Sequence, residues 1–449
     1  MTGNRNFTRG EILIPLVRFA LPVLFALFLQ TMYGAADLLI VGKFAEPADV
    51  SAVATGAQIM FSLTNLMSSL AMGVTILLGQ QIGQGMRAEG GRTVGSSVAL
   101  FGLLGAVTAA LTAVFAPQLA GLMQAPPEAF AGTAGYVRIC GAGMLVIVAY
   151  NLLGSVFRGM GDSQTPLVTV AIACVCNIAG DLLLVGVFHM GASGAAVATV
   201  VSQALSVLLS CALIRRRGLP FEFHWSDVRL EWRNIRKVMS LGLPIAFQDL
   251  LVSASFLVIL AIVNSLGLVA SAGVGVAEKV SGFIMLLPLA FMQATSAFVA
   301  QNFGAGRMDR AERSMWYAIA VSFVLGVGMA WLSFFHGAWL AGLFAGEEVI
   351  VAAAADYLKA FSIDCMLTAI SFCIGGFFTG IGMTTFVMIQ GIAGAVVVRV
   401  PVAWIMSRWE PVSLFHIALA VPISSVVQVV LCLGALWVVK HRRQTRDLL

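Results

Sequence analysis

Apolar residues gather along this chain in long stretches separated by charged or Pro/Gly-rich breaks. Twelve such stretches can be drawn, at 16–41, 52–80, 94–116, 134–157, 167–188, 192–214, 241–264, 273–301, 315–338, 355–379, 386–407 and 413–438. About 20 apolar residues carry a helix across the hydrocarbon layer of a bilayer, so the pattern predicts twelve transmembrane helices. An even number of spans puts both termini on one side. Basic residues then choose that side. Arg5 and Arg9, Arg87 and Arg92, Arg158, the run from Arg215 to Lys237, Arg307 to Arg313, and Lys440 to Arg446 all fall on the side of the termini. The opposite loops hold little beyond Lys43, Arg138, Lys359 and Arg408. Both ends are therefore expected in the cytoplasm, with the chain in the cytoplasmic (inner) membrane.

Composition removes the alternatives. Of 449 residues, 59% are hydrophobic and 10% charged, against about 45–50% and about 25% in soluble domains. Such a chain lacks the polar surface to cover itself in water, and the class is an all-α polytopic membrane protein. The net charge of +5 is spread over short inter-span runs, whereas a nucleic-acid binder clusters its charge on one face; no nucleic-acid partner is expected. Arg5 and Arg9 before an apolar run mimic a signal peptide, but the run continues to about Val41, far past an h-region of 7–15 residues. None of the seven cysteines forms a CxxC, and Cys174 and Cys176 read as small apolar packers.

The chain repeats itself. Gln80, Gly83, Gly85 and Arg92 recur as Gln301, Gly304, Gly306 and Arg313, a shift of 221 residues. The same shift sets Tyr136 and Arg138 on Tyr357 and Lys359, and Gly159-Met160-Gly161 on Gly380-Ile381-Gly382. At the first span the shift is 222, placing Leu21-Pro22 on Leu243-Pro244. The basic stretch from Arg215 to Lys237 divides six spans from six. The expected organisation is an N-lobe at 1–214, a cytoplasmic linker at 215–240 and a C-lobe at 241–449, two six-helix pseudo-symmetric lobes. Parallel repeats about an axis along the membrane normal belong to transporters that rock two bundles about a central site.

Polar groups break the symmetry. An Asp at a helix centre costs about 2.5–3.5 kcal/mol on the insertion scale, so each needs a reason. Asp37 lies about one turn from the outer end of span 1. Asn177 and Asp181 share a face of span 5. Asp181 and Thr199 are equally far from a turn near Met190, hence at one depth on spans 5 and 6. Tyr136 begins span 4 on the same side. Oxygen from two carboxylates, an amide and a hydroxyl suits a proton or a hard cation, making Na⁺ at Asp37, Asn177, Asp181 and Thr199 the alternative to H⁺. The second half lacks these groups: Asp181 falls on Val402, Asn177 on Val398 and Asp37 on Ile259. It carries Asp249, Glu278, Lys279, Asp364 and Arg399 instead, a mixture of signs that reads first as internal ion pairs. Pro22, in the span of Asp37, removes a backbone hydrogen bond and permits a hinge.

Four motifs together resemble the multidrug and toxic compound extrusion (MATE) family over almost the whole chain. They are Asp37-Leu38-Leu39-Ile40-Val41-Gly42, Gln80 to Gly85, Arg158-Gly159-Met160-Gly161-Asp162-Ser163-Gln164-Thr165-Pro166, and Gln301 to Gly306. The resemblance implies two six-helix lobes in a V shape and export coupled to inward flow of H⁺ or Na⁺. Within the family the chain is similar to the DinF-like branch, whose first-lobe pocket uses an Asp, an Asn–Asp pair and a Thr that match Asp37, Asn177, Asp181 and Thr199, with Tyr136 matching a helix-4 tyrosine. Gln30 and Asn151 resemble residues lining the drug cavity of that branch. Another branch binds its cation with acids on helices 7 and 10, where Asp249 and Asp364 lie, so a cavity role for these two stays open.

The leading functional expectation is a secondary exporter of amphiphilic, cationic organic compounds, acting as a monomer with no cofactor beyond the transported ion. A flippase of lipid-linked saccharides is the alternative; it requires deep cations to hold pyrophosphate, and Lys279 and Arg399 are the candidates. Catalysis has little support, because His189, His224, His336, His416 and His441 are scattered and no HExxH, nucleophile elbow or P-loop occurs.

Overall fold

The computed structural model describes residues 7–447, with side chains through His441. Arg5 lies outside the described residues, as do the side chains of Arg442, Arg443 and Arg446. The described chain is helical. Its helices are α1 (Leu13–Phe44), α2 (Pro47–Gly83), α3 (Arg87–Leu122), α4 (Pro127–Ala142), α5 (Met144–Met160), α6 (Gln164–Asp181) and α7 (Gly191–Arg217). Then follow α8 (Trp232–Asn264), α9 (Leu268–Gly304), α10 (Met308–Phe335), α11 (Gly337–Gly342), α12 (Glu348–Gly380), α13 (Thr384–Ile392), α14 (Val400–Met406), α15 (Leu414–Ala418) and α16 (Ala420–Asp447). Eleven helical segments are long and apolar enough to cross a membrane, and α4 with α5 makes a twelfth. This is a multi-pass membrane protein.

The fourth span departs from the continuous helix predicted over 134–157. It bends by 57° between α4 and α5. The break is at Gly143, where Val200 of α7 packs so close that a Cβ would lie 2.5 Å from its methyl carbon. The helix gives way where its neighbour leaves no room for a side chain.

Two compact units divide the chain. The first holds residues 1–9, 18–243 and 300–307, and the second 10–17, 244–299 and 308–449. Residues 215–240 belong to the first unit, and the unit boundary falls inside α8, between Leu243 and Pro244.

Within the first unit, the repeated Gln-x-x-Gly motif has a physical use. Gly83 faces the carbonyl oxygen of Gln301, and Gly304 faces that of Gln80. Each glycine admits the backbone next to the other's glutamine, a self-complementary contact of the kind a two-fold axis generates. Gln301 Nε2 also donates to the Gly159 carbonyl at 2.9 Å, tying the second motif to the third. Gly85 and Gly306 follow with φ of +76° and +71°, the left-handed step that ends a helix without a Cβ penalty. Asp162 starts α6: its carboxylate accepts from the backbone N–H of Gln164 and Thr165, both at 3.0 Å, and from Thr165 Oγ1 at 2.6 Å. The linker lies against α3. Phe221 packs on Gly90, the Glu222 carbonyl on Gly91 and the Asp227 carbonyl on Gly95, while Arg233 donates to both oxygens of Glu89 at 2.9 and 3.0 Å.

The second unit has its own apolar core, built on Ile259, Val263, Val274, Leu358, Phe361 and Ile417. Helix α12 is its hub, packing against α10, α11 and α16.

Candidate functional site

Asp37 stands on α1, seven residues before the helix ends at Phe44, and is 5% exposed. Asn177 and Asp181, one turn apart on α6, are 1% and 0% exposed. Asp181 is the last α-helical residue of its span. At Leu182 the backbone opens into a π-helical segment, Leu182–Val187, a distortion often found at functional sites.

The turn that follows is held from outside. Asp49 of α2 accepts from the Ala192 backbone N–H at 3.0 Å, satisfying a donor at the start of α7. Further in, a Cβ on Gly180 would lie 3.0 Å from that of Ala198, so the two helices touch at this level. The next residue of each helix is then Asp181 and Thr199. Thr199 Oγ1 donates to Asp37 Oδ2 at 3.4 Å, and Asp181, Thr199 and Asn177 all act on Asp37 at side-chain range. Tyr136 of α4 is buried and interacts with Thr199 and Asp37. Its ring lies on Gly56 of α2, where a Cβ would come within 2.6 Å of it.

The arrangement is under-bonded. Asp37 Oδ1, both oxygens of Asp181, and both the amide oxygen and nitrogen of Asn177 are buried without a hydrogen-bond partner among the described residues. A buried polar atom left unpaired costs about 1–3 kcal/mol, more if charged. Four of these atoms are oxygens, a ligand set that a proton or an oxygen-seeking cation would satisfy.

Charge alone would not have revealed the rest of the polar lining. Tyr33 precedes Asp37 by one helical turn, and Gln203 follows Thr199 by one turn; the two interact, and Tyr33 also senses Asp37 and Tyr150. Gln30 Nε2 donates to the Tyr150 hydroxyl at 2.7 Å. The i, i+4 spacing of Tyr33–Asp37 and Thr199–Gln203 was the available signal. Asn151 turns to its own helix, donating to the Ile147 carbonyl at 2.8 Å.

Asp249 and Asp364 lie in the other unit, half-buried on α8 and buried on α12. Lys279, within the candidate span Leu268–Gly304, has an exposed side chain. Arg399 is buried and donates to the hydroxyls of Ser424 and Ser255.

The MatE family model matches residues 22–183 and 244–405. The chain belongs to the MatE family. The two matched stretches of this MatE chain are displaced by 222 residues at both ends, so the family's unit occurs twice, as the internal repeat requires. Among curated relatives, the Probable multidrug resistance protein YpnP of Bacillus subtilis (strain 168) is 26% identical over 405 residues, 90% of each chain. The Probable multidrug resistance protein YoeA of the same strain is 25% identical over 438 residues, 96% of this chain and 95% of its own. The fold matches a solved outward-facing conformation of a multidrug resistance MATE family transporter of the MOP superfamily with a TM-score of 0.91, at 21% identity, covering 100% and 99% of the two chains.

Proposed function

We propose that this MatE protein is a secondary exporter that expels amphiphilic, cationic organic compounds in exchange for inward movement of H⁺ or Na⁺. The single observation that carries the reading is the buried, under-bonded oxygen set on Asp37, Asn177 and Asp181, with Thr199 and Tyr136 beside it. The names of its relatives support the drug-export side. The pocket is acidic and holds no fixed cation, so an arriving proton or Na⁺ removes charge repulsion between Asp37 and Asp181 and bonds the orphaned oxygens. That differential stabilisation is what an ion can use to shift an equilibrium between two transporter states. Pro22 lies within α1 and leaves one backbone carbonyl without its helical donor, providing the hinge through which a change at Asp37 alters the shape of that helix.

The driving force is sufficient. A monovalent cation expelled against an inside-negative potential costs the same about 2.3 kcal/mol per 100 mV that one entering ion releases, so one-for-one exchange is electroneutral, and one pH unit supplies the about 1.4 kcal/mol that a tenfold gradient of expelled cation needs. Placement in the cytoplasmic membrane with both termini inside, and a monomeric state, complete the proposal.

Proteoliposomes with pH and Na⁺ gradients imposed separately, loaded with a panel of cationic dyes, test it. Wild-type protein should move dye under one of the gradients, and Asp37→Asn or Asp181→Asn should abolish that movement while leaving the protein monodisperse. Undiminished transport by the double variant would remove the coupling assignment. Scrambling of a fluorescent lipid-linked oligosaccharide by the pure protein, without dye transport, would replace export by lipid flipping.

A further inference from the structure

The segment that joins α7 to α8 exposes side chains that water does not favour. Trp225 is 83% exposed, Trp232 74% and Leu230 55%. Trp225 does not sit on a loose tip. It begins a single 3₁₀ turn, Trp225–Asp227, and the Asp227 carboxylate accepts from the His224 backbone N–H at 3.0 Å. Its ring meets that of Phe223 edge to face, with centroids 5.8 Å apart.

The hold of the linker on α3 fixes the height of this turn. The Glu222 carbonyl packs on Gly91 and the Asp227 carbonyl on Gly95. The linker therefore descends along α3 by about 6 Å, at about 1.5 Å per residue. Helix α3 is a candidate span, and its large exposed apolar side chains begin at Val98 and continue through Leu103 and Val107. The Trp225 turn thus ends about one helical turn short of the lipid-facing surface. An indole at that height turns its apolar face to the acyl chains and its N–H to water, the placement tryptophan takes at membrane interfaces.

Charge selects the lipid. Residues 215–237 include seven basic and three acidic side chains. Two of the acids are engaged within the protein: Asp227 at its own turn, and Glu231 with Asn234 Nδ2 at 3.2 Å. Arg233 is taken by Glu89. Arg229, Arg236 and Lys237 are exposed and have no carboxylate at ion-pair distance among the described residues. A basic surface carrying tryptophan at headgroup height is complementary to anionic lipid.

We propose that this linker is an interfacial lipid-binding element: Trp225 inserts at the headgroup–acyl boundary of the adjoining leaflet, and Arg229 and Arg236 hold the headgroups of anionic phospholipid. The contacts with Gly91 and Gly95 and the bond within the turn set the element in place before lipid arrives, so binding costs little further ordering. The inference stands apart from ion coupling and involves none of the residues assigned to it.

The test uses full-length protein in phosphatidylcholine vesicles, with and without phosphatidylglycerol. Quenching of tryptophan emission by acyl-brominated phosphatidylcholine and by aqueous iodide is compared between wild-type protein and Trp225→Phe, so that the difference reports Trp225. That difference should be quenched by the brominated lipid and spared by iodide; the reverse overturns the insertion. Competition of phosphatidylglycerol against the brominated lipid, read from the same difference, gives the headgroup preference. Wild-type protein should favour phosphatidylglycerol by at least about fivefold, the equivalent of one basic contact. Arg229→Gln with Arg236→Gln should reduce that preference by a similar factor, and an unchanged preference overturns the headgroup assignment. Where the double variant does not fold, wild-type protein in high salt decides: the preference should collapse as the charges are screened, and indifference to salt overturns it. A Trp225 signal that responds to the protein-to-lipid ratio instead of to lipid type would assign the patch to a second copy of this chain, against the proposal.

Discussion

Tyr136 illustrates how a single side chain is held for a task. Its ring is placed by the absence of a side chain at Gly56, and it interacts with the hydroxyl of Thr199 and the carboxylate of Asp37. Gly56→Val would push the ring from this seat. Overpacking of this kind costs about 1–3 kcal/mol, so thermal unfolding in detergent should fall by several degrees and dye transport should drop with it. Tyr136→Phe keeps the ring and removes only the hydroxyl. Its stability should change by no more than about 0.5–1.5 kcal/mol, while ion-driven transport should weaken; equal transport by the Phe variant would show that the hydroxyl has no part in the site. Asp37, Asn177, Asp181, Thr199 and Tyr136 could be named from residue type and spacing alone. Tyr33 and Gln203 carried only their i, i+4 spacing to Asp37 and Thr199, and a neutral side chain in an apolar helix is decided by the partner it meets.

At the scale of elements, the α6–α7 hairpin sets the depth at which Asp181 meets Thr199, and Asp49 of α2 holds that hairpin from outside. Asp49→Ala removes the acceptor at the start of α7. By analogy with lost helix caps the cost is about 0.5–2 kcal/mol, read as a lower unfolding temperature. The bend at Gly143 depends on α7 in a similar way. Gly143→Ala should clash with Val200, and Val200→Ala should relieve it, so a double-mutant cycle should give a favourable coupling of about 0.5–3 kcal/mol. Zero coupling would mean that the bend arises elsewhere. The apolar run over 134–157 carried no sign of the break, since Gly is common in membrane helices and its meaning here depends on which residue lies opposite. Likewise the π-helical segment after Asp181 is a matter of hydrogen-bond register, which hydropathy does not record.

For the whole molecule, duplication is the governing fact. The family model matches twice, and Gly83 and Gly304 each seat the other's Gln-x-x-Gly backbone. Gly83→Val or Gly304→Val should therefore be comparably damaging, each lowering stability by more than about 1 kcal/mol, as measured by thermal unfolding. A large difference between the two would argue against a reciprocal contact. Against that shared frame, the two units diverge in charge: unpaired carboxylates in one, an acid and an arginine in the other.

Hydrophobic stretch length determined by itself that the chain crosses a membrane about twelve times, because bilayer thickness and helical rise leave little else for such segments to do. Identity at a fixed shift determined that it is a duplicate, because the turns and close approaches that need Gln and Gly recur wherever the same backbone recurs. Tertiary structure alone decided where a helix bends, which neutral side chains join the polar pocket and whether a buried charge finds a contact partner. Those outcomes turn on distances of a few tenths of an ångström between segments remote in sequence, and no reading of one segment contains the other's position.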